Sequence, residues 1–345
     1  MYTQFINGDI VDVEKQELVT STWSDNTNNL QTAHTSSTQA DFSSPTSSGQ
    51  FFIEVYNKDT SDTTAEVQYA VAFGHNSGSG SPDFTNDTGS FGINSSRVIY
   101  NQYRQLVFND ETKGFTFGTH SPDSIYVINV NRARYKQKLT LGTLSLQISG
   151  ATAGTNTGQT FVQLTDDSVT NGQFDDSNLG PVYRVVSGSN GQVSGSTVNQ
   201  VGGSSSFGLF YPESGVIILN GDAFSGSLAP TLNSGETSNS DRNHQTLLNH
   251  ISGAGHFILD TTEEISSKFY FVRARNSEYN YSNNESFKDA NNNVRFTSMQ
   301  ANPKVFITTV GLYNSAQELL AIAKLSQPVA KDFTKEALIR VKLDY

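Results

Sequence analysis

A mainly β fold, organised as two β-sandwich-like or β-rich domains with one or two short helices, is predicted by three observations. Only 16% of the 345 residues are charged, and Ser, Thr, Asn, Gln and Gly take the places that Glu, Lys and Arg hold on helical surfaces. Sheet surfaces and turns accept the first set, whereas long exposed helices depend on the second. The strongest apolar runs are short, rich in branched and aromatic residues, and bounded by turn residues. At the C-terminus, Ile339, Val341, Leu343 and Tyr345 alternate with Arg340, Lys342 and Asp344, the period of two of a strand with one buried face.

In chain order, strands are predicted over 51–56, 66–73, 124–130, 215–219 and 268–273. A helix is predicted near 95–108. Ile99, Tyr103, Leu106 and Val107 fall at i, i+4, i+7 and i+8 there, behind the capping run Asn94-Ser95-Ser96. A second, shorter helix is predicted over 241–251, with Leu247, Leu248 and Ile251 on one face. Residues 305–313 and 318–325 form a hairpin across the polar connection 314–317. Pro328 is expected to stop its second strand, and Tyr345 is expected to pack at the end of the closing strand.

The composition shift at 150–158 divides the chain into an N-terminal β-rich domain, 1–150, carrying the helix near 95–108, and a C-terminal β-rich domain, 151–345. Residues 260–345 either belong to the second half or fold back on the first, and composition leaves both open. Loops are expected over 24–50, 76–90 and 186–206. In the last, 12 of 21 residues are Gly or Ser, too few anchors to offset about 1–2 kcal/mol of backbone entropy per ordered residue.

Several function classes are excluded by what is missing. Without cysteine there is no disulfide framework, thiolate metal site or thiol nucleophile. The first nine residues lack a basic n-region and an apolar h-region, so no signal peptide is expected and synthesis is expected in the cytoplasm. No apolar run approaches the ~20 residues of a membrane span, so no membrane insertion is expected. With 33 acidic against 22 basic residues the net charge is −11, and no basic block exists to bind nucleic acid.

Motifs for catalysis and cofactors fail one by one, and no cofactor is expected. There is no Gly-x-Ser-x-Gly, no Gly-Lys pair, no Gly-x-Gly-x-x-Gly after a strand and no His-Glu-x-x-His. His244, His250 and His256 recur every six residues, but that spacing turns successive imidazoles about 120° apart on a helix and about 20 Å apart on a strand. They read as surface or loop histidines rather than metal ligands. Asp289, Asn291 and Asn293 imitate the start of a calcium loop, but Val294 and Gln300 stand where Gly and Glu are needed; a polar hairpin tip is expected. Asp166-Asp167 and Asp175-Asp176 read as solvated turn residues rather than a cation site, and the loop 74–82 as a mobile or partner-contacting loop rather than an anion cradle, since no Lys stands near it.

Two patches remain. Arg132 and Arg134, separated by Ala133, are expected to project from one strand face, either toward a partner's carboxylates or toward acids of this chain. Tyr279 and Tyr281, followed by Asn283 and Asn284, combine rings with amides, which suits sugar stacking, a wet protein interface, or a Tyr-anchored core edge.

The run Phe269-Tyr-Phe-Val-Arg-Ala-Arg-Asn-Ser-Glu-Tyr-Asn-Tyr-Ser-Asn-Asn284, with 302–314 and 318–326 after it, resembles virion structural proteins of contractile-tailed bacteriophages, especially marine cyanobacterial myoviruses. Residues 72–81, 100–104 and 211–220 carry the same resemblance, which therefore covers most of the chain. The members compared have Pro after the Ser-Asn-Asn run, where this chain has Glu285, so the turn there is expected to differ. The resemblance implies a non-enzymatic tail or baseplate component of the wedge, resident in the virion. Its partners would be other tail and baseplate proteins, in multiple copies within a symmetric assembly, and it brings no catalytic residues.

Three functions follow as expectations. The first is a structural component acting through protein–protein contacts in virion assembly and infection, with Arg132, Arg134, Tyr279, Tyr281, Asn283 and Asn284 as interface residues. The second is a receptor- or carbohydrate-binding module at the tail periphery, reading a host-surface glycan through Tyr and Asn. A polysaccharide hydrolase is the third; it needs two carboxylates held about 5–9 Å apart, and no sequence feature pairs them.

Overall fold

The computed structural model describes residues 4–35, 52–78, 96–149, 161–194, 206–224, 243–282 and 284–344. It is mainly β with three short helices among them. In chain order the elements are β1 (Ile10–Ser21), β2 (Phe52–Tyr56), β3 (Val67–His75), α1 (Ser96–Phe108), β4 (Ser124–Val130), β5 (Lys138–Leu139), β6 (Ser145–Ser149), β7 (Phe161–Asp166), α2 (Ser168–Asn171) and β8 (Asp175–Ser177). Then follow β9 (Gly180–Ser189), β10 (Gln192–Val193), β11 (Gly208–Tyr211), β12 (Val216–Asn220), α3 (Asn243–Ala254), β13 (Phe257–Ile258), β14 (Asp260–Ala274), β15 (Val305–Tyr313), β16 (Leu319–Lys331) and β17 (Ala337–Asp344).

The chain divides into one unit of Leu18–Glu263 and another of Met1–Glu17 with Glu264–Tyr345. The expected boundary run 150–158 lies outside the described residues. Its flanking strands β6 and β7 pair from Leu146↔Leu164 to Ser149↔Phe161, so one sheet continues across residue 150. The division falls instead inside the long strands β1 and β14.

In the larger unit the strands order as β13-β6-β7-β9-β11-β12-β4-β3-β2, with β8 and β10 added to β9. The central strands are buried on both faces, which is why they read as continuous apolar runs. Tyr126, Ile128, Ile217 and Leu219 enter one core with Trp23, Tyr69, Phe73, Phe257 and Leu247, Leu248 and Ile251 of α3. Their neighbours Ile125, Val127, Val216 and Ile218 enter a second core with Ile99, Tyr100, Tyr103 and Val107 of α1. Tyr100 thus joins the predicted stripe, and Leu106, at its margin, stays exposed.

Helix α3 packs on β6 near one end of this sheet and on β2 and β3 at the other, so the sheet curls around it. Residues 29–34 stitch the two edges together. The Leu30 amide donates to the Phe257 carbonyl at 3.0 Å, and His34 and Tyr56 exchange backbone hydrogen bonds of 3.2 and 2.8 Å. From inside, Trp23 donates its indole N–H to the same Phe257 carbonyl at 2.7 Å. Of the loops expected over 24–50, 76–90 and 186–206, residues 36–50, 79–90 and 195–205 lie outside the described residues. The rest of the first and last carries this stitch and the β9–β10 turn.

In the smaller unit, the hairpin β15–β16 covers β14 and β17 around Val310, Leu312, Ile339 and Val341, flanked by Phe5, Tyr270, Val272, Ala321 and Ala323. β17 buries Ile339 and Val341 and exposes Arg340 and Lys342, as its alternation predicts; Tyr345 lies outside the described residues. Pro328 does not end β16. The register jumps from Ile307↔Val329 to Thr309↔Lys324, so Pro328 sits in a bulge where no ladder partner calls for the N–H it lacks.

Candidate interaction surface

The tyrosine patch is built by a clamp that the sequence does not announce. Lys331, fully buried, donates to the Asn280 side-chain oxygen at 2.7 Å and to the Asn276 carbonyl at 3.2 Å. The Asn280 amide donates to the same carbonyl at 2.6 Å. Asn280 is thereby drawn inward, and its neighbours Tyr279 and Tyr281 stand 39% and 53% exposed. The display comes from a turn rather than from strand alternation, because Tyr279 has φ = 55°.

Tyr281 meets the buried Phe287 edge-on, with centroids 5.4 Å apart, and the Lys288 ammonium lies 5.1 Å from the Tyr281 ring centre. Phe287 in turn contacts Phe296 at 6.3 Å, whose ring is exposed. Asn284 is spent on the backbone, accepting from the Ser286 amide at 3.2 Å. Asn283 lies outside the described residues. A left-handed tyrosine costs about 1 kcal/mol that glycine does not pay. Tyr279→Gly is therefore expected to be more stable than Tyr279→Ala by about that amount in urea unfolding, the reverse of the usual order.

Arg132 and Arg134 sit in a single helical turn after β4, not on a strand, because Asn131 caps it by accepting from the Ala133 amide at 2.9 Å. Both are engaged within the chain. Arg134 donates to Ser24 Oγ and, at 2.6 Å, to Glu66; Arg132 donates to the Tyr135 carbonyl at 2.6 Å and lies over its ring at 4.7 Å. Hydrogen bonds from Ser24 and Arg134, and the Arg134 charge, hold the Glu66 carboxyl below its ordinary range. Such a group stabilises the fold above its unfolded value and loses that contribution as pH falls through the lower folded value. The side chain is 49% exposed, so screening keeps the contribution near 0.5 kcal/mol. Between pH 6 and pH 3, Glu66→Gln is expected to lose less stability than wild type, by about that amount, in thermal melts.

A second surface lies on the hairpin β15–β16, and sequence reading did not single it out. Ala321 and Ala323 turn inward against the core. Leu320 and Ile322 turn outward and are 68% and 62% exposed, beside Tyr313 and Leu319 at 43% and 47%. Over 320–323 of β16 the smaller apolar residues face in and the larger face out, while β15 turns Val310 and Leu312 inward. That inversion, apolar against apolar instead of apolar against polar, is the signal the sequence carried.

Elsewhere the chemistry is structural. Asp166 and Asp167 are buried, not solvated, because backbone donors reach them: Asp166 accepts from Gly142 N at 2.8 Å and Asp167 from Arg184 N at 2.9 Å. Asp175 and Asp176 open β8. Asp289 closes a hairpin tip, accepting from the amides of Asn291 and Asn293 at 2.9 and 2.8 Å, and these bonds hold its carboxyl low. His244 is buried on α3, and His256 Nε2 lies 3.0 Å from Ser145 Oγ. Of the loop 74–82, residues 79–82 lie outside the described residues. Among the described residues no group of three or more His, Cys, Asp or Glu is placed to hold a metal ion, and no helix is long and apolar enough to cross a membrane.

No family model matches this chain, and neither a curated protein nor a solved structure matches it.

Proposed function

We propose that this chain is a non-enzymatic structural component of a contractile phage tail, placed in the baseplate wedge and resident in the virion, working through protein–protein contacts. The observation that carries the contact role is the outer face of β15–β16, where Leu319, Leu320, Ile322 and Tyr313 are exposed over an inner layer of Val310, Leu312, Ala321 and Ala323. A surface of that finish is costly in water and is relieved by a partner. The phage assignment rests on the resemblance of residues 269–284, 302–314 and 318–326. Reconstruction of the intact virion at side-chain resolution tests it: density for this chain is expected in the tail or baseplate, and a virion with no copy there overturns the reading.

The aromatic loop favours one second reading, a glycan-binding role at the tail periphery. Tyr281 and Phe296 present exposed rings beside the Lys288 ammonium, and sugar faces stack on such rings. Binding on a glycan array that disappears in Tyr281→Ala supports it, and a flat array overturns it.

A further inference from the structure

We propose that the cleft between α1 and the strands β2, β3 and β4 is a saccharide-binding site that takes an uncharged oligosaccharide. It lies in the larger unit and shares no residue with the β15–β16 hairpin or the aromatic loop of the smaller one, so it goes beyond both readings above. The cleft holds about 500 Å³, inside the ~300–1,000 Å³ of small-ligand sites. Strand register builds it. On the face that carries α1, Glu54, Ala70 and Asn129 stand in one row across β2, β3 and β4, and Phe52, Ala72 and Val127 stand in the next. Glu54 and Asn129 are two strand spacings apart, about 10 Å, and two alanines form the floor between the flanking strands. α1 adds Ile99, Gln102 and Tyr103 to the wall, and Arg132 and Tyr135 complete the lining.

Asn129 is the residue that packing does not explain. Its neighbours on this face, Ile125, Val127, Val216 and Ile218, are buried and apolar, yet Asn129 is exposed on a strand paired on both sides, opposite Ala70 and Val216. The buried Tyr103 hydroxyl is hydrogen-bonded to its side chain. That bond orients the amide and leaves its remaining donor and acceptor capacity to a ligand. Arg132 is held in a similar way. Its guanidinium lies over the Tyr135 ring at 4.7 Å and spends one N–H on the Tyr135 carbonyl at 2.6 Å, so the rest of its five donors stay available in a fixed plane.

The ligand class follows by elimination. Among the described residues, the charged side chains lining the cleft are one acid, Glu54, and one base, Arg132, so an anion and a cation each meet a like charge there. An apolar ligand would strip water from Glu54, Gln102, Asn129 and Arg132 and replace none of their hydrogen bonds. An extended peptide binds by pairing with a strand edge, and the floor strand β3 is already paired with β2 and β4. An uncharged sugar fits all three conditions. Its hydroxyls donate to the carboxylate and amide oxygens and accept from the amide and guanidinium N–H groups, while its C–H faces lie on the alanine methyls and the exposed Phe52 ring.

An array of oligosaccharides of glucose, galactose, mannose and N-acetylglucosamine, with sialylated and sulfated members beside the neutral ones, tests this on the full chain. The strongest binder is then followed by titration calorimetry. Saturable binding of neutral members is expected. Ala70→Leu, which fills the floor, and Asn129→Ala are each expected to weaken it about tenfold or more, whereas Ile6→Ala, an exposed position of the smaller unit, is expected to leave it unchanged. Asn129→Ala alters an exposed side chain, so the test stands even if a thermal melt shows that Ala70→Leu has lost its fold. An array without a binder, a preference for charged sugars, binding that survives the cleft variants or equal loss in Ile6→Ala overturns the inference. Loss in Tyr281→Ala with the cleft variants intact would assign the sugar to the aromatic loop and overturn this site alone. The reverse pattern would uphold this site without that loop, so the two failures are distinguishable.

Discussion

Trp23→Ala is expected to lower the unfolding free energy by about 4 kcal/mol, within the ~3–5 kcal/mol range for removing a buried tryptophan. Trp23 is 2% exposed and packs edge-on against Phe257 with centroids 4.8 Å apart, and against Tyr69 at 6.1 Å. These contacts join the β13 edge of the curled sheet to β3 near the opposite edge, so the cavity would open at the seam. The lost indole hydrogen bond adds little, because the Phe257 carbonyl keeps the Leu30 amide as a donor. Urea unfolding followed by far-ultraviolet circular dichroism measures the cost. Wild type offers a cross-check, since Trp23 is the sole tryptophan and its emission should shift to the red on unfolding. A loss below about 1 kcal/mol would show that the seam is not held from inside.

Gly74→Val is expected to cost about 3 kcal/mol, the upper end for overpacking a filled core. A Cβ at this position would lie 2.8 Å from the Tyr100 amide nitrogen, 3.0 Å from its Cα and 3.2 Å from Ile125 Cγ1. The first two are helix backbone, which cannot swing aside as a side-chain tip can, so α1 must lift from β3. Because Tyr100 packs edge-on to Phe115 at 5.3 Å, loss of near-ultraviolet circular dichroism is expected together with the loss of stability. A variant as stable as wild type would remove the close approach as the reason for this glycine. The sequence places Gly74 at the head of a loop; the structure places it inside β3, because the helix needs the space its side chain would fill.

Legibility followed the range of the interactions. Strands 124–130 and 305–313 were readable to the residue, because branched and aromatic runs between turn residues report a local preference. α3 was readable from Leu247, Leu248 and Ile251. Arg132 and Arg134 were not: alternation around Ala133 imitates a strand, and the Asn131 cap that bends the chain competes at the same range. Asp166 and Asp167 were misplaced because their donors, Gly142 and Arg184, are 24 and 17 residues away. The aromatic loop was readable as composition but not as geometry, since its clamp is a lysine 51 residues later.

By itself the sequence determined a mainly β chain, its two longer helices, the closing hairpin and the absence of cysteine and basic-block chemistry, all written in neighbours a few residues apart. Only tertiary structure decided that the division falls inside β1 and β14 rather than near 150, that residues 29–34 close the curled sheet, and which face of β15–β16 turns outward. Over 319–323 of that hairpin both faces are apolar, so local preference there is equal for either. Packing against Ile339 and Val341 breaks the tie: Ala321 and Ala323 join Val310 and Leu312 in the layer between the sheets, and Leu320 and Ile322 are left outside.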